Sequence, residues 1–459
     1  MAKAFDQLAD EMADAELGDA RLSRRLGLIV GAIAQRPGKS LPKALVSSAA
    51  LEATYRFMSN DAVTPERILE PHIAATCVRA QEAACVLAIH DTTECEFAGE
   101  PREGLGRLSE RRQGFHAHVC LAVKADDGQP LGVFGVHTWA RPQRPPGRKK
   151  RSTYQHKTRG VKESDRWGEV ASRVEGMMKG RARVIHVMDR EADFYRLEAQ
   201  LVDAGAEFVI RGSHTERILA DGRTLEGATE ELVTRLTREV ALSKRAGSRR
   251  MTSHPQRSAR AAALVVGATT ITVKRSWSTR EAVGPEFELN VVHVREPAPP
   301  DGEPAVEWTL LTTLPTRTVA QIEFVIDVYR RRWLIEELFK ALKSGCQFEK
   351  LQLESAAALV NAFAVMLPVA VGLLALRDVP RTRPDARAST VLTELQLKVL
   401  RVYEHTRSLP LKTARDAMLA VARLGGHIKN NGDPGWIVLG RGYEELLALE
   451  SGASLGLQM

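Results

Sequence analysis

The chain has 459 residues, of which 44% are hydrophobic and 27% are charged, and its formal net charge is +8. This composition is that of a globular protein of two or three domains, excludes an intrinsically disordered chain, and favours a polyanionic partner such as nucleic acid. The five cysteines have no CxxC spacing, which argues against a disulfide framework and a cysteine zinc site, so we expect a reducing, cytoplasmic location.

Residues 1–65 are rich in Ala, Leu, Glu and Arg and predict a helical N-terminal domain, interrupted at 36–42 by Pro and Gly. Arginines recur at helical spacing near position 20. That pattern fits either a solvent-exposed helix face or one that contacts DNA.

Two short apolar runs further along the chain end in an acidic residue. The runs 85–91 and 183–189 finish with Asp91 and Asp189, and each predicts a buried strand whose last residue reaches the edge of a sheet. Because strands alternate with helices here, we expect an α/β sheet, in which ligands bind at the carboxyl ends of strands.

The second half of the chain changes character twice. Residues from about 205 to 315 are β-rich, and the chain is predicted to be helical from about 350 to the end. The segment 356–376 is apolar apart from Asn361 and long enough to cross a bilayer. Because it is rich in Ala, contains Pro368 and has no second such segment beside it, we expect a buried core or interface helix and no membrane.

Two basic segments, 141–159 and 244–260, are punctuated by Pro, Gly and Ser. They are interpreted either as solvated loops or as contacts to DNA phosphates, and the two interpretations are compatible. The sequence does not indicate which groups the first segment contacts.

The most informative segment is 329–343. At about 100° per residue of α-helix, Tyr329, Arg332, Glu336 and Lys343 fall within about 60° of one another on one face. A phenol, a guanidinium, a carboxylate and an ammonium are a strange set to bury. They suit a face laid against a phosphodiester with a metal ion between.

Three acids that are distant in sequence form a candidate metal site: Asp91, Asp189 and Glu336. Carboxylate oxygens suit Mg²⁺ or Mn²⁺, and two such ions about 4 Å apart can activate a water and stabilise a leaving oxygen. Taken singly, each acid has an ordinary explanation, as a turn residue, a helix cap and a surface acid respectively. Taken together with the polar helix face, they favour the site.

Histidines offer a competing metal site. His116 and His118 alternate along one strand and so share a face, and His90 adjoins Asp91. We favour the three acids and expect these histidines to be ordinary residues of the sheet.

The spacing of Tyr329, Arg332, Glu336 and Lys343 is similar to the Y-(2)-R-(3)-E-(6)-K signature of bacterial DDE transposases in the insertion-sequence-four group. The resemblance extends over nearly the whole chain. The other similar segments, in chain order, are 17–21, 38–40, 53–57, 91–93, 189–193, 308, 332–337 and 422–426.

The resemblance implies an α/β ribonuclease-H-like catalytic core with a β-rich insertion, flanked by N-terminal and C-terminal helical domains. The implied domains are a DNA-binding domain at 1–65, a catalytic domain at 66–365 with the insertion at about 205–315, and a dimerisation domain at 366–459. The implied activity is cut-and-paste transposition by a homodimer, in a synaptic complex with terminal inverted repeats and target DNA. In the bacterial cytoplasm such a protein would associate with the nucleoid when bound to DNA.

The resemblance also implies residue roles. Asp91, Asp189 and Glu336 would bind two Mg²⁺ or Mn²⁺ ions, and Glu336 is assigned in preference to its neighbour Glu337 because Glu337 lies on the other side of the helical wheel from Arg332.

The remaining implied roles concern DNA. Trp308 and Trp333 match aromatics that stack against a distorted duplex, where an unstacked base needs a replacement surface. At the N-terminal end Leu22 departs from the basic pattern, so we expect recognition of a different end sequence. The residues expected to contact DNA are Tyr329, Arg332, Lys343, Arg211, Trp308, Trp333, Arg21, Arg25 and Lys39.

Two other functions remain open at this level. A non-catalytic DNA-binding relative, inhibitory or domesticated, would not need the intact acid set. A general metal-dependent nuclease on the same fold would not need the N-terminal domain or the long C-terminal helical region.

Overall fold

A computed structural model gives the fold of the chain and describes residues 2–45, 47–109, 112–142, 163–242, 258–275, 284–403, 410–428 and 432–458. In these ranges the strands form one mixed sheet, with helices packed on both of its faces. Almost all of the basic segments 141–159 and 244–260 lies outside the described residues.

The N-terminal region is helical, as predicted. Its second helix begins at the cap residue Asp19, whose side chain accepts the backbone N–H of Arg21, and it buries a stripe that includes Leu26, Ile29 and Ile33. The helices are α1 (Ala2–Ala13), α2 (Ala20–Gln35), α3 (Leu41–Ala44), α4 (Ser48–Met58) and α5 (Pro65–Gln81).

The sheet contains ten strands in the order β2-β3-β1-β5-β6-β10-β9-β8-β7, with β4 paired to β3. In the centre, β1 is antiparallel to β3 and parallel to β5, and β5 is parallel to β6. The strands are β1 (Cys85–Phe97), β2 (Gly106–Ser109), β3 (Arg112–Lys124), β4 (Pro130–Trp139), β5 (Arg183–Met188), β6 (Glu207–Arg211), β7 (Leu236–Leu242), β8 (Arg260–Lys274), β9 (Glu286–Arg295) and β10 (Glu307–Thr312).

The β-rich interval does not form a separate sheet. Strand β10 pairs with β6 on one side and with β9 on the other, so the strands of the predicted insertion continue the central sheet. A continuous hydrogen-bonded sheet therefore runs from the outer strand β7 to β5 and β1.

Helices cover the sheet and form the C-terminal region. Three short 3-10 turns, at 190–192, 348–350 and 388–390, and one π-helical turn, Ala341–Gly345, supplement them. The helices are α6 (Asp165–Met178), α7 (Tyr195–Asp203), α8 (Leu225–Glu230), α9 (Val319–Arg330), α10 (Trp333–Lys340), α11 (Ala356–Thr382), α12 (Glu394–Val402), α13 (Ala414–Leu424) and α14 (Trp436–Gln458).

The long apolar helix α11 is a core element. In the part of the chain that the structure describes it is the one helix long and apolar enough to cross a membrane, but 89% of its most apolar window is buried inside the protein. Asn361 lies in its buried face and donates to the carbonyl oxygens of Met58 and Val63. The helix thus joins the N-terminal helices to the core, and the predicted domain border at 365/366 falls inside it.

Segment 329–343 is not one continuous α-helix, which corrects the prediction from the helical wheel. Helix α9 ends at Arg330, α10 begins at Trp333, and the π-helical turn starts at Ala341. The backbone N–H groups of Arg332 and Leu334 bond three residues back, which tightens the chain between the two helices.

Candidate active site at the edge of the sheet

Two of the three acids lie at the same level of the sheet. Strands β1 and β5 are parallel, with Ile89 opposite Val187, and the same offset carried two residues further places Asp91 level with Asp189. Asp189 follows the last residue of β5 and accepts the backbone N–H of Glu191 at 2.8 Å. The prediction that the first strand ends at Asp91 is wrong, because β1 continues to Phe97 and pairs with β3 along that length. Asp91 lies within β1, at the level where the shorter neighbour β5 ends and Asp189 follows.

The third acid reaches this edge through an arginine. The guanidinium of Arg332 donates to Asp91 Oδ2 at 3.0 Å and to Glu336 Oε1. Arg332 and Glu336 are four residues apart, so they face each other across one turn despite the break before α10. Side-chain exposure is 15% for both Asp91 and Arg332, so this contact is largely shielded from solvent.

The charges of the site perturb one another. Burial raises the pKa of Asp91 to about 7, and the charges of Asp189 and Glu336 add to the rise, while Arg332 and the backbone N–H of Thr92 oppose it. Burial alone would lower the pKa of Arg332, but Tyr329 and the two acids outweigh that effect and raise it. The site therefore holds an excess of negative charge that one guanidinium does not neutralise.

This set of residues fits divalent metal ions. Among the described residues, no three His, Cys, Asp or Glu side chains already stand close enough to hold one metal ion. The carboxylates of Asp91, Asp189 and Glu336 nevertheless offer the hard oxygen ligands that Mg²⁺ and Mn²⁺ prefer. A cation between them would relieve the repulsion that raises the pKa of Asp91.

An aromatic and basic group lies next to the acids. Tyr329 is buried, and its ring meets Trp308 edge-on at 5.7 Å between centroids. Burial raises the pKa of Tyr329, while Arg332 and Arg211 act in the opposite direction. Arg211 also donates to the carbonyl oxygen of Glu307 at 3.2 Å. The predicted DNA-contacting residues of β6, β10 and α9 thus adjoin Arg332.

Lys343 contacts strand β1, the strand that carries Asp91. Its Nζ donates to the carbonyl oxygen of Glu94 and pairs with Glu349 Oε1 at 3.3 Å. It therefore contacts β1 beyond Asp91, and it makes no hydrogen bond or ion pair with the three acids among the described residues.

Trp333 and Glu337 face away from the acids. Trp333 is 50% exposed, and its Nε1 donates to Glu337 Oε1 at 3.2 Å. Glu337 is buried and accepts from Lys340, Arg377 and Trp436. Glu337 therefore belongs to a structural ion-pair cluster, and the acid next to Asp91 is Glu336.

The predicted N-terminal DNA contacts lie elsewhere. Arg21 is exposed and pairs with Asp19, Arg25 lies on the same helix, and Lys39 pairs with Glu444 Oε2 at 2.9 Å. Within the described residues no hydrogen bond or ion pair joins these three to the acids. Lys39 lines one cavity with Lys343 and Lys350, whereas Arg21 and Arg25 lie on α2.

Two features escaped the sequence reasoning. Glu444 of α14 accepts the backbone N–H of Gly38 and pairs with Lys39, which no local pattern could indicate across 406 positions. His90, His118 and His186 form a hydrogen-bonded row. Alternation along β3 was a signal for part of that row, but His186 required knowledge of the strand order.

Known protein families match two parts of the chain. The transposase DNA-binding family matches residues 6–63, and the transposase DDE domain family matches residues 113–369, which is more than half of the 459 residues. A DDE domain has a ribonuclease-H-like fold, with which the mixed sheet and its helices are consistent, and DDE domains generally use divalent metal ions. The chain therefore belongs to the DDE transposase family and is a DNA-binding transposase enzyme.

Proposed function

We propose that the protein is a Mg²⁺- or Mn²⁺-dependent cut-and-paste transposase of the insertion-sequence-four group, close to the transposase of transposon five. In this proposal Asp91, Asp189 and Glu336 are the metal ligands for two ions. The protein acts in the cytoplasm as a homodimer that holds two terminal inverted repeats in one synaptic complex and joins them to target DNA.

One observation carries the proposal: a single guanidinium, that of Arg332, links Asp91 to Glu336, while Asp189 directly follows the neighbouring strand β5 and its charge acts on Asp91. Glu336 lies 245 positions downstream of Asp91 in the sequence. An ordinary surface acid of a helix would not be expected to share a guanidinium with so distant a residue. An unneutralised acid set at a strand edge is what a metal-dependent nuclease needs and a pure DNA-binding protein does not.

The residues around the acids suit a phosphodiester substrate. Bound divalent ions would supply Lewis-acid activation of water and stabilise the leaving oxygen. Arg332, once released from the acids, presents a bidentate donor that matches phosphate geometry. Tyr329 and Trp308 offer ring surface beside it, against which an unstacked base can pack.

The test uses purified protein, Mg²⁺ and duplex DNA that carries the terminal repeats flanking the reading frame. We expect nicking followed by excision. Asp91→Asn, Asp189→Asn and Glu336→Gln should each lower the cleavage rate by at least about 10³-fold, since each removes a charged ligand, while affinity for the end DNA stays near that of the wild type. Glu323→Gln, an exposed acid on α9, is the matched control and should cleave normally.

Three results would redirect the proposal. Retained cleavage in one acid variant removes that acid from the site. Binding without any cleavage in the wild type indicates a non-catalytic relative. Equal cleavage of unrelated duplexes indicates a general nuclease. Sedimentation of the protein bound to end DNA tests the homodimer.

A further inference from the structure

A row of histidines lies on the face of the sheet opposite to the side chain of Asp91. In β1 and β3, His90 pairs with Cys120 and Thr92 with His118, so these four side chains share one face of the sheet. Because side chains alternate along a strand, Asp91 points to the opposite face. His186 of β5 pairs with Ala88 and joins the same face as His90.

Five side chains on this face form one unbroken hydrogen-bonded chain from helix α6 to Thr92, and both nitrogens of each ring take part. The distances are 3.0 Å from Glu175 Oε1 to His186 Nε2, 2.9 Å from His186 Nδ1 to His90 Nε2, 3.3 Å from His90 Nδ1 to His118 Nε2, and 3.1 Å from His118 Nδ1 to Thr92 Oγ1.

The carboxylate at one end fixes the direction of the chain, since a hydroxyl such as that of Thr92 can either donate or accept. The three rings are fully buried, and each is assigned one N–H, the form in which one ring nitrogen donates and the other accepts. The ionised carboxylate of Glu175 can only accept, so His186 carries its proton on Nε2 and accepts at Nδ1. The same logic places the proton of His90 and then of His118 on Nε2. His118 Nδ1 is left to accept from the hydroxyl of Thr92.

Every ring nitrogen in the chain thereby has a hydrogen-bond partner within the protein, so these three rings present no free nitrogen lone pair to a metal ion. The chain ends at Thr92, whose backbone N–H donates to Asp91 Oδ1 at 2.7 Å.

We propose that Glu175, His186, His90 and His118 are positioning residues, which lock the side chain of Thr92 and thereby hold its N–H against the carboxylate of Asp91. This rests on the proposed role of Asp91 as a metal ligand. Residues behind a ligand that fix its orientation commonly change metal affinity by 10- to 100-fold, that is, by about 1.4 to 2.8 kcal/mol.

The first measurement concerns the chain alone. In the full-length protein with ¹⁵N-labelled histidine and no metal or DNA, long-range ¹H–¹⁵N spectra near neutral pH should give His90, His118 and His186 as Nε2–H tautomers. One Nδ1–H tautomer among the three breaks the order and overturns the proposal.

The second measurement is the affinity for Mn²⁺ alone, by calorimetry. Thr92→Val keeps the shape and the backbone N–H but removes the hydroxyl, and should weaken Mn²⁺ binding about 10-fold, whereas Thr92→Ser should restore it. Glu175→Ala should weaken binding similarly, and Glu175→Gln, whose amide oxygen still accepts, should not.

Glu169→Ala is the matched control. Glu169 also lies on α6 and faces an imidazole, that of His137 at 3.8 Å, but stands outside the chain. It should bind Mn²⁺ like the wild type. Thermal melts identify any variant that does not fold. If a Glu175 variant does not fold, the comparison of Thr92→Val with Thr92→Ser tests the proposal.

Wild-type affinity in both Thr92→Val and Glu175→Ala would refute the positioning role. Absence of Mn²⁺ binding by the wild type would refute the proposed function instead, and the tautomers would then decide the histidine chain by themselves.

Discussion

Arg332 is the residue on which the electrostatics of the site depend. It stands where a cation is needed, between Asp91 and Glu336, in a shielded position. Any metal ion that binds the two acids competes with this guanidinium, and a DNA phosphate would offer it another partner. Arg332 can therefore release the carboxylates of Asp91 and Glu336 and bind a DNA phosphate when substrate and metal bind.

Arg332→Met tests that balance. Removing the guanidinium should raise the pKa of Asp91 from its value of about 7, because an opposing positive charge is lost. A protonated Asp91 is a poor metal ligand, so the pH at which Mn²⁺ binding is half-maximal should move upward.

The control for this change is Arg330→Met, since Arg330 is half-exposed and pairs with Asp327 at 3.6 Å. It should leave the pH dependence in place. A downward or absent shift in Arg332→Met would show that Arg332 does not stabilise the charged form of Asp91.

For single residues, the sequence indicated which acids are candidates for the site but not the hydrogen bonds that they make. The apolar runs before Asp91 and Asp189 were enough to expect neighbouring strands, but only Asp189 lies at a strand end, since β1 continues to Phe97. The bridging role of Arg332 was not predictable, since a helical wheel shows which residues share a helix face but not that Arg332 would bond to Asp91 of β1. The histidine chain depends on the register of three strands, of which only one showed in the alternation of His116 and His118.

Among the elements, the turn after β5 has two separate jobs. Asp189 enters the site, whereas Asp193, four residues on, is fully buried and accepts from Arg217 and from the backbone N–H of His214. Glu198 of α7 accepts from the same Arg217 at 2.7 Å. One motif thus supplies a site acid and anchors the loop after β6.

Glu198 gives this anchor a pH dependence. Burial raises the pKa of Glu198 to about 8, Asp193 adds to the rise and Arg217 opposes it. The unfolded carboxyl ionises at about 4.3, so the folded state binds the extra proton between these values, and stability falls as pH rises from about 4.3 to about 8. In this pH range Glu198→Gln should make the fall of the unfolding free energy with pH less steep, by at most the contribution of one bound proton.

Denaturant unfolding at a series of pH values measures the slope. Glu226→Gln, an exposed acid on α8, should leave it as in the wild type. An unchanged slope in Glu198→Gln would mean that Glu198 is already ionised at neutral pH.

Element types were predictable from periodicity, but element continuity was not. The β-rich character of 205–315 was expected, yet nothing local showed that β10 would pair with β6 and extend the central sheet. The expected single helix over 329–343 failed because three-residue backbone bonds tighten the chain at Arg332, a departure that an ideal wheel cannot contain.

For the molecule as a whole, buried charges connect its two ends to the core. Glu337 of α10 accepts from Arg377 of α11 and, at 3.0 Å, from Nε1 of Trp436 at the start of α14. Glu444 of α14 binds the loop at Gly38. The C-terminal helix therefore contacts both the helix of the site and the N-terminal region.

A double-mutant cycle tests the link to α14. Trp436→Phe keeps a ring over Arg377 but removes the donor to Glu337, and Glu337→Met removes the acceptor. We expect a coupling free energy of unfolding of about 1.5 kcal/mol, because the bond is buried and made to a charged group. Strict additivity in denaturant unfolding would show that the two side chains act independently.

Helix α11 sets a limit on how the protein can be divided. A fragment that stopped at 365 would end partway along a buried helix and uncover apolar side chains that now fill the interior. Shorter versions for crystallisation or labelling should therefore retain everything through Thr382, and a tail piece expressed by itself should aggregate unless it begins at or before Ser355.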